Sequence, residues 1–213
     1  MSYMPLKQQS IWLVGASSGI GEALVAELQP RCRQLYISAR SEDKLQTMAS
    51  RYNNVKALPL DVADTDAAQS VANQISENGG IDMLIANAGT CEYVDVQQLD
   101  VALFERVMRT NFIGLVNCTA AALPLLRKSP KGCLAAMSSS SSWLAMPRAQ
   151  AYGASKAATN YFMESMRADL VHEGIDTCVI FPGFVDTPLT KRNDFDMPMM
   201  ISASEAARHI AHG

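Results

Sequence analysis

The sequence predicts an α/β protein built on a doubly wound parallel sheet, and three observations carry that reading. Six short apolar runs alternate with longer segments of helical period, the order of a chain of β-α-β units. The runs are almost continuously apolar rather than alternating, as strands are when helices cover both faces of a sheet. Glycine and proline punctuate the joints between them.

The elements follow in order. Ser10–Val14 (SIWLV) is the first strand, and a helix runs from Gly19 to about Gln29, where Pro30 stops it. Gln34–Ala39 is the second strand and Glu42–Tyr52 a polar-faced helix. Val55–Leu60 is the third strand. Asp64–Glu77 is helical, with acidic residues at the end where the helix dipole is positive, and Gly79-Gly80 breaks it. Ile81–Ala86 is the fourth strand. Asp100–Arg127 is one long helix, kinked or frayed near its end by Pro124. Cys133–Met137 is the fifth strand. Ala149–His172 is a second long helix, and Gly174 stands where a left-handed cap is wanted. Asp176–Phe181 is the sixth strand, stopped by Pro182-Gly183. A last helix covers Ser204 to His212. The architecture is a three-layered Rossmann fold in a single domain over residues 1–213, with ligands expected beyond the carboxyl ends of the strands.

Composition excludes several classes. Hydrophobic residues make up 48% of the 213 and charged residues 18%, enough apolar material for a packed core. The net charge of −3 speaks against a nucleic-acid surface and gives no reason for attraction to anionic membranes. Cys32, Cys91, Cys118, Cys133 and Cys178 are scattered and form no CxxC pair, which suits free thiols in a reducing cytoplasm. The N-terminus lacks the basic-then-apolar pattern of a secretion signal. The apolar stretch Phe112–Leu126 is interrupted by Asn117 and Thr119 and is shorter than the roughly 20 residues of a membrane span. The histidines, His172, His209 and His212, do not suggest a metal site.

Chemistry concentrates at two places. After the first strand, Gly15-Ala-Ser17-Ser18-Gly19-Ile20-Gly21 opens a helix. Glycine lets the backbone approach a pyrophosphate, and the helix start offers free N–H groups to it. The second strand ends Ser38-Ala39-Arg40. An acid there would hold a ribose 2′-hydroxyl; a guanidinium suits a 2′-phosphate instead, so NADP(H) is expected over NAD(H). Further on, Tyr152 and Lys156 lie four residues apart on one helix face. An ammonium beside a phenol favours the phenolate and would lower its pKa.

The Gly15–Gly21 turn, Asn87-Ala88-Gly89 after the fourth strand, Tyr152-x-x-x-Lys156, and Pro182-Gly183-x-x-x-Thr187 occur in this order. Together they closely resemble the short-chain dehydrogenase/reductase family, over about residues 10 to 190. The resemblance implies that Tyr152 is the general acid in carbonyl reduction and the base in alcohol oxidation. It implies that Lys156 lowers the tyrosine pKa and holds the nicotinamide ribose. It makes Ser139, thirteen positions before the tyrosine, the group that polarises the substrate oxygen, with Ser138 and Ser140 as rivals in the serine run. Asn111 matches the asparagine that holds a proton-relay water. Asp61 and Val62 would meet the adenine, Asn87, Ala88 and Gly89 the adenosine ribose side. Pro182, Gly183, Val185 and Thr187 would hold the carboxamide and diphosphate.

Four departures stand out. Val14 replaces a threonine before the first glycine, Ser18 stands where many NADP-dependent members have a second basic residue, and Ala86 replaces the first asparagine of Asn-Asn-Ala-Gly. The sequence also ends at Gly213 inside the last helix, so a seventh strand expected from the resemblance is missing. The segment Pro188–Ile201, with Phe195, Met197, Met199 and Met200, suits a mobile lid with an apolar inner face, and equally a plainly packed loop; Trp143, Leu144 and Met146 follow the active serine. The expected partner is a small carbonyl or alcohol. The resemblance implies that the two long helices form a dimer face, which their alanines would let approach closely; a homo-oligomer is expected, a dimer over a tetramer because the last strand is missing. A non-catalytic NADP(H)-binding sensor or structural protein of the same fold is the alternative, disfavoured by the presence of Ser139, Tyr152 and Lys156.

Overall fold

A computed structural model describes residues 5–212. Residues 1–4, where the reading of the N-terminus begins, and the expected chain end at Gly213 lie outside the described residues. The main sheet holds β1 (Ser10–Val14), β2 (Gln34–Ser38), β3 (Val55–Ala57), β4 (Met83–Ala86), β5 (Cys133–Met137) and β6 (Asp176–Ile180). All its pairings are parallel and the order is β3-β2-β1-β4-β5-β6. This is the doubly wound arrangement expected of a Rossmann fold.

The strands are apolar throughout because each has two faces to bury. Trp12, Val14, Leu84, Ala86, Leu134 and Ala136 turn to one side. They meet α3 (Thr65–Glu77), α5 (Gly114–Leu126) and α6 (Gln150–Leu170) there. Ile11, Leu13, Leu35, Ile37, Ile85 and Ala135 turn to the other side. There they meet α1 (Gly19–Leu28), α2 (Glu42–Ala49) and α7 (Ala203–His212). The two-residue strand period thus divides one apolar run between two cores. The indole N–H of Trp12 is satisfied inside the first core by the Ser38 hydroxyl at 2.9 Å.

Several expected boundaries shift. The third strand is shorter than Val55–Leu60, although Leu58 and Leu60 still donate their N–H groups to Ile37 and Ala39 at 2.9 Å. The predicted helix Asp100–Arg127 is divided: α4 (Val101–Met108) and α5 are joined by one wider, π-type turn at Arg109–Ile113. Pro124 does not end α5, which continues to Leu126. The proline lacks the N–H that would bond four residues back, so it removes one hydrogen bond of the helix. Gly174 adopts the expected left-handed cap, φ 71° and ψ 20°.

A short parallel pair, β7 (Val185–Asp186) with β8 (Ile201–Ser202), ties off the segment between β6 and α7; the sequence reading did not foresee it. Among the described residues no further strand joins β6, whose side chains are partly exposed. Of the helix alanines, Ala120, Ala154 and Ala157 face outward, while Ala121 and Ala122 pack into the core.

Candidate active site

The order of strands reverses between β1 and β4, and the site lies in the crevice this opens at their carboxyl ends. Gly15 leaves β1 with φ 88°, and both its N–H and that of Ala16 donate to the Ser38 carbonyl. A Cβ on Gly15 would lie 2.6 Å from the Ala88 nitrogen, and one on Gly21 would lie 2.0 Å from the Gly15 oxygen. The glycines are therefore required by close approach of the turn to itself and to β4. Asn87 locks that approach, its amide donating to the Gly15 carbonyl at 2.9 Å. Thr187 is buried against the same turn, its methyl carbon 3.1 Å from where a Gly19 Cβ would stand.

Ser17, Gly19 and Ile20 are half-buried, and Ser18 is exposed at the start of α1 with its hydroxyl uninvolved in capping. The first N–H groups of α1 follow directly on this turn and, as at any helix start, have no acceptor within the helix. Arg40 is exposed just beyond the end of β2, and no carboxylate pairs with it among the described residues. Asp61 is exposed and accepts from the Ala63 N–H at 3.0 Å. Val62 is fixed from behind by Asn117, which donates to its carbonyl at 2.9 Å, and by Gly114, where a Cβ would come within 2.6 Å of the valine side chain. The sequence reading took Asn117 only as an interruption of an apolar run. Its buried amide in fact positions the Asp61–Val62 loop.

The second group of residues comes from β5 and α6. Lys156 is fully buried, and its ammonium donates to the Met137 carbonyl at 2.7 Å and lies 5.8 Å from the centroid of the Tyr152 ring. Of the serine run, Ser138 turns inward to the Lys156 carbonyl and Asn160, Ser140 is exposed, and Ser139 stands against the Tyr152 phenol. The Ser140 N–H donates to the Pro182 carbonyl at 3.0 Å, joining the serine loop to the Pro182–Gly183 loop. Gly183 is exposed and Val185 buried in β7.

Burial governs the proton chemistry. It pushes the Tyr152 phenol up to about 12, against the opposing effect of the Ser139 hydroxyl. It holds the Lys156 ammonium down at about 8. Burial is the largest influence on the phenol, Cys91 and Tyr93 act in the same direction, and the Ser139 hydrogen bond is what opposes them; the lowering expected from Lys156 does not show among these influences. At neutral pH the phenol keeps its proton and the lysine is largely cationic.

Asn111 occupies the π-type turn. Its carbonyl oxygen accepts from the Thr90 N–H at 2.7 Å, and its amide donates to the Thr90 carbonyl and the Ser155 hydroxyl, each at 2.9 Å. Both amide protons are committed, which leaves one lone pair on the oxygen for a water. Ser155 in turn donates to the Tyr152 carbonyl at 2.7 Å. Thr90 and Ser155 escaped the sequence reading; Ser155 lies inside the Tyr-x-x-x-Lys spacing, and its position on the buried face was the available signal. Gly89 lies beside both groups: a Cβ there would stand 3.4 Å from the Lys156 nitrogen and 3.5 Å from the Asn111 oxygen. Cys91, read as an ordinary buried thiol, also borders the site; burial raises its pKa, with Arg192 and Lys156 acting the other way.

An open depression of about 480 Å³ lies between α2, β3 and α3 and is lined by none of these residues. Among the described residues no cluster of metal-ligating side chains is found, and no helix is long and apolar enough to cross a membrane.

Comparison with known proteins shows the family. The model of the short chain dehydrogenase family matches residues 9–197. The chain belongs to that family, whose members are oxidoreductases using a nicotinamide cofactor. An uncharacterized oxidoreductase of Myxococcus xanthus is 31% identical over 206 residues, 94% of this chain and 81% of that protein. The 11-beta-hydroxysteroid dehydrogenase 1A of Arabidopsis thaliana is 36% identical over 210 residues, 95% of this chain but 60% of that longer protein. Among solved structures, Pseudomonas aeruginosa RhlG in its NADP active-site complex superposes with a TM-score of 0.80 at 29% identity, covering 88% of this chain and 77% of that one. A short chain dehydrogenase from Burkholderia cenocepacia in complex with NADP superposes with a TM-score of 0.87 at 25% identity, covering 98% and 84%.

Proposed function

We propose that the chain is an NADP(H)-dependent oxidoreductase acting on a small carbonyl or secondary alcohol, with Tyr152 as the general acid of the reductive direction. The observation that carries the chemistry is the Tyr152 phenol set against the Ser139 hydroxyl, with the Lys156 ammonium 5.8 Å from the centroid of its ring. A carbonyl oxygen lodged against Ser139 and Tyr152 meets two donors. As charge develops on that oxygen the two hydrogen bonds strengthen, and Tyr152 releases its proton to it. Lys156 stabilises the phenolate that remains, and Asn111, through its free lone pair, holds a water on the path by which the proton is replaced.

The glycine turn from Gly15 to Gly21 would hold the cofactor diphosphate, with Thr187 beside it. Asp61 and Val62 would hold the adenine, Asn87 to Gly89 the adjacent ribose, and Pro182, Gly183 and Val185 the nicotinamide side. When bound, the nicotinamide supplies or accepts the hydride. Arg40, exposed and in no ion pair among the described residues, is the residue that would favour a 2′-phosphate, and the NADP named in the two solved relatives supports the same choice.

The test is a fluorescence titration of NADPH and NADH against wild type and Arg40→Ala. Tighter NADPH binding, lost by about tenfold or more in Arg40→Ala while NADH binding is unchanged, is the expected result. Equal affinity for the two cofactors in wild type would remove the NADP(H) assignment. Binding of neither would remove the oxidoreductase reading.

A further inference from the structure

Three loops meet on the outer side of the site, and one side chain touches all of them. Arg148, in the loop between β5 and α6, forms an ion pair with Asp194, its Nη1 lying 3.1 and 3.0 Å from the two carboxylate oxygens. The same guanidinium lies over the ring of Tyr93, 4.9 Å from its centroid. Tyr93, in the loop after β4, donates its hydroxyl to the side chain of Asn193 and packs edge-on against Phe195, with centroids 6.3 Å apart. Phe195 meets Phe184, in the loop after β6, at 6.0 Å. The Arg148 backbone is in the left-handed region, φ 65°, and its carbonyl accepts from the Val94 N–H at 2.9 Å. A non-glycine residue is held there only where its surroundings impose it.

We propose that Arg148 is a latch, a positioning residue that holds the segment around Asn193–Phe195 closed against the Tyr93 loop at the mouth of the active site. This rests on the proposed function for its purpose, since closing the mouth shields the proton transfer at Tyr152. The tyrosine loop borders the reacting group: Tyr93 and Cys91 both act electrostatically on Tyr152, and Arg192, just before the segment, acts on Cys91. The latch is built to open. Arg148 and Asp194 remain 52% and 68% exposed, so salt screens their attraction and neither is committed to a dry interior. The aromatic contacts beneath give the closed state its shape, and the ion pair with the stacked guanidinium decides how often it opens.

Lys191 and Arg192 lie next to the latched segment and are exposed, so trypsin cleavage after Arg192 reports opening without reference to catalysis. Limited proteolysis of the full chain at low ionic strength, with cleavage sites assigned by mass, should show Arg148→Met cut after Arg192 about five- to tenfold faster than wild type. Raising the salt to about 0.5 M, where the screening length falls to a few ångströms, should bring wild type toward the variant and leave the variant unchanged. Arg148→Met/Asp194→Asn should be no faster than Arg148→Met, because the two residues act as one pair. Cleavage of Arg148→Met within twofold of wild type, or a wild-type rate indifferent to salt, would overturn the latch. A parallel NADPH titration separates this from the cofactor reading: the latch stands or falls on cleavage, the oxidoreductase assignment on binding. A thermal melt of Arg148→Met coincident with wild type assigns faster cleavage to local opening; accelerated cleavage only in a variant whose melt is lowered throughout would also overturn it.

Discussion

Lys156 lies one helical turn beyond Tyr152 on α6, yet its ammonium is bonded not to the phenol but to the carbonyl of Met137, the last residue of β5, at 2.7 Å. The helix spacing brings the two side chains to one face, and the strand end then fixes the lysine below the ring. The phenol is left neutral, with the Ser139 hydroxyl as its polar neighbour. A neutral phenol is the form needed to give a proton to a carbonyl oxygen.

Tyr152→Phe removes that proton and little else. Turnover of any carbonyl substrate should fall by about 10²- to 10⁴-fold, the usual range for a general acid, while NADPH affinity stays within about threefold. Steady-state kinetics beside a binding titration checks both. Near-normal turnover in Tyr152→Phe would end the proposed mechanism.

The buried ammonium also sets a pH dependence of stability. Lys156 is held at about 8 in the fold, from an ordinary 10.5, and burial is the cause. Below pH 8 both folded and unfolded chains carry the proton, and the whole cost of the buried charge is present. Between about 8 and 10.5 the unfolded chain holds a proton that the folded one has released, so stability rises with pH in that window. Lys156→Met removes the charge, and at pH 7 should stabilise the fold by as much as roughly 3 kcal/mol, less the lost bond to Met137. The gain should shrink toward pH 9.5, still below the range where Tyr152, raised to about 12, begins to matter. Urea unfolding of both proteins at pH 7 and 9.5 measures it. A gap of equal size at the two pH values would show that the ammonium is not the source.

How much of this was legible in the sequence follows from what each feature depends on. The six main strands were readable because burial on both faces makes runs such as SIWLV and MLIA apolar without interruption. The glycine turn and the Tyr152–Lys156 pair were readable because close approach and helix period act between near neighbours. The π-type turn at Asn111 was not. It is fixed by bonds to Thr90 and Ser155, 21 and 44 residues away, which leave no local pattern. The lysine's true partner was hidden for a related reason: a backbone carbonyl has no letter in the sequence. Nor could spacing reveal that burial would raise the pKa of Tyr152.

Gly21 offers a sharper test of the cofactor cradle than the glycines with unusual backbone angles. A methyl there would lie 2.0 Å from the Gly15 backbone oxygen, part of the turn itself, and 2.7 Å from the side-chain amide nitrogen of Asn87, just after β4. The Asn87 amide can turn aside but the Gly15 backbone oxygen cannot, so Gly21→Ala should push the start of α1 away from the turn. NADPH binding should weaken by about 30-fold or more, and stability should fall by about 1–3 kcal/mol, the usual range for an overpacked core. Calorimetric titration and chemical unfolding report the two effects. Undiminished binding in Gly21→Ala would show that the turn does not hold the diphosphate.

At the opposite ends of the strands, Asp82 tests the fold without touching the site. Its carboxylate is buried, accepts from the Ser10 N–H at 2.8 Å and the Ser129 hydroxyl at 2.6 Å, and thereby ties the entry of β1 to the loop before β5. Arg33 approaches at 3.4 Å but is 57% exposed, so the ion pair contributes little beside the two bonds to the buried acid. Asp82→Ala strands the Ser10 N–H inside the protein and should cost about 2–4 kcal/mol, while Arg33→Ala should cost less than about 1 kcal/mol. For a chain of this length the first loss lowers the melting temperature by about 4–16 °C. NADPH affinity in the folded Asp82→Ala protein should match wild type, because the glycine turn leaves β1 from its other end. Equal losses from Asp82→Ala and Arg33→Ala would mean that the exposed charge pair, and not the buried hydrogen bonds, holds these strand ends together.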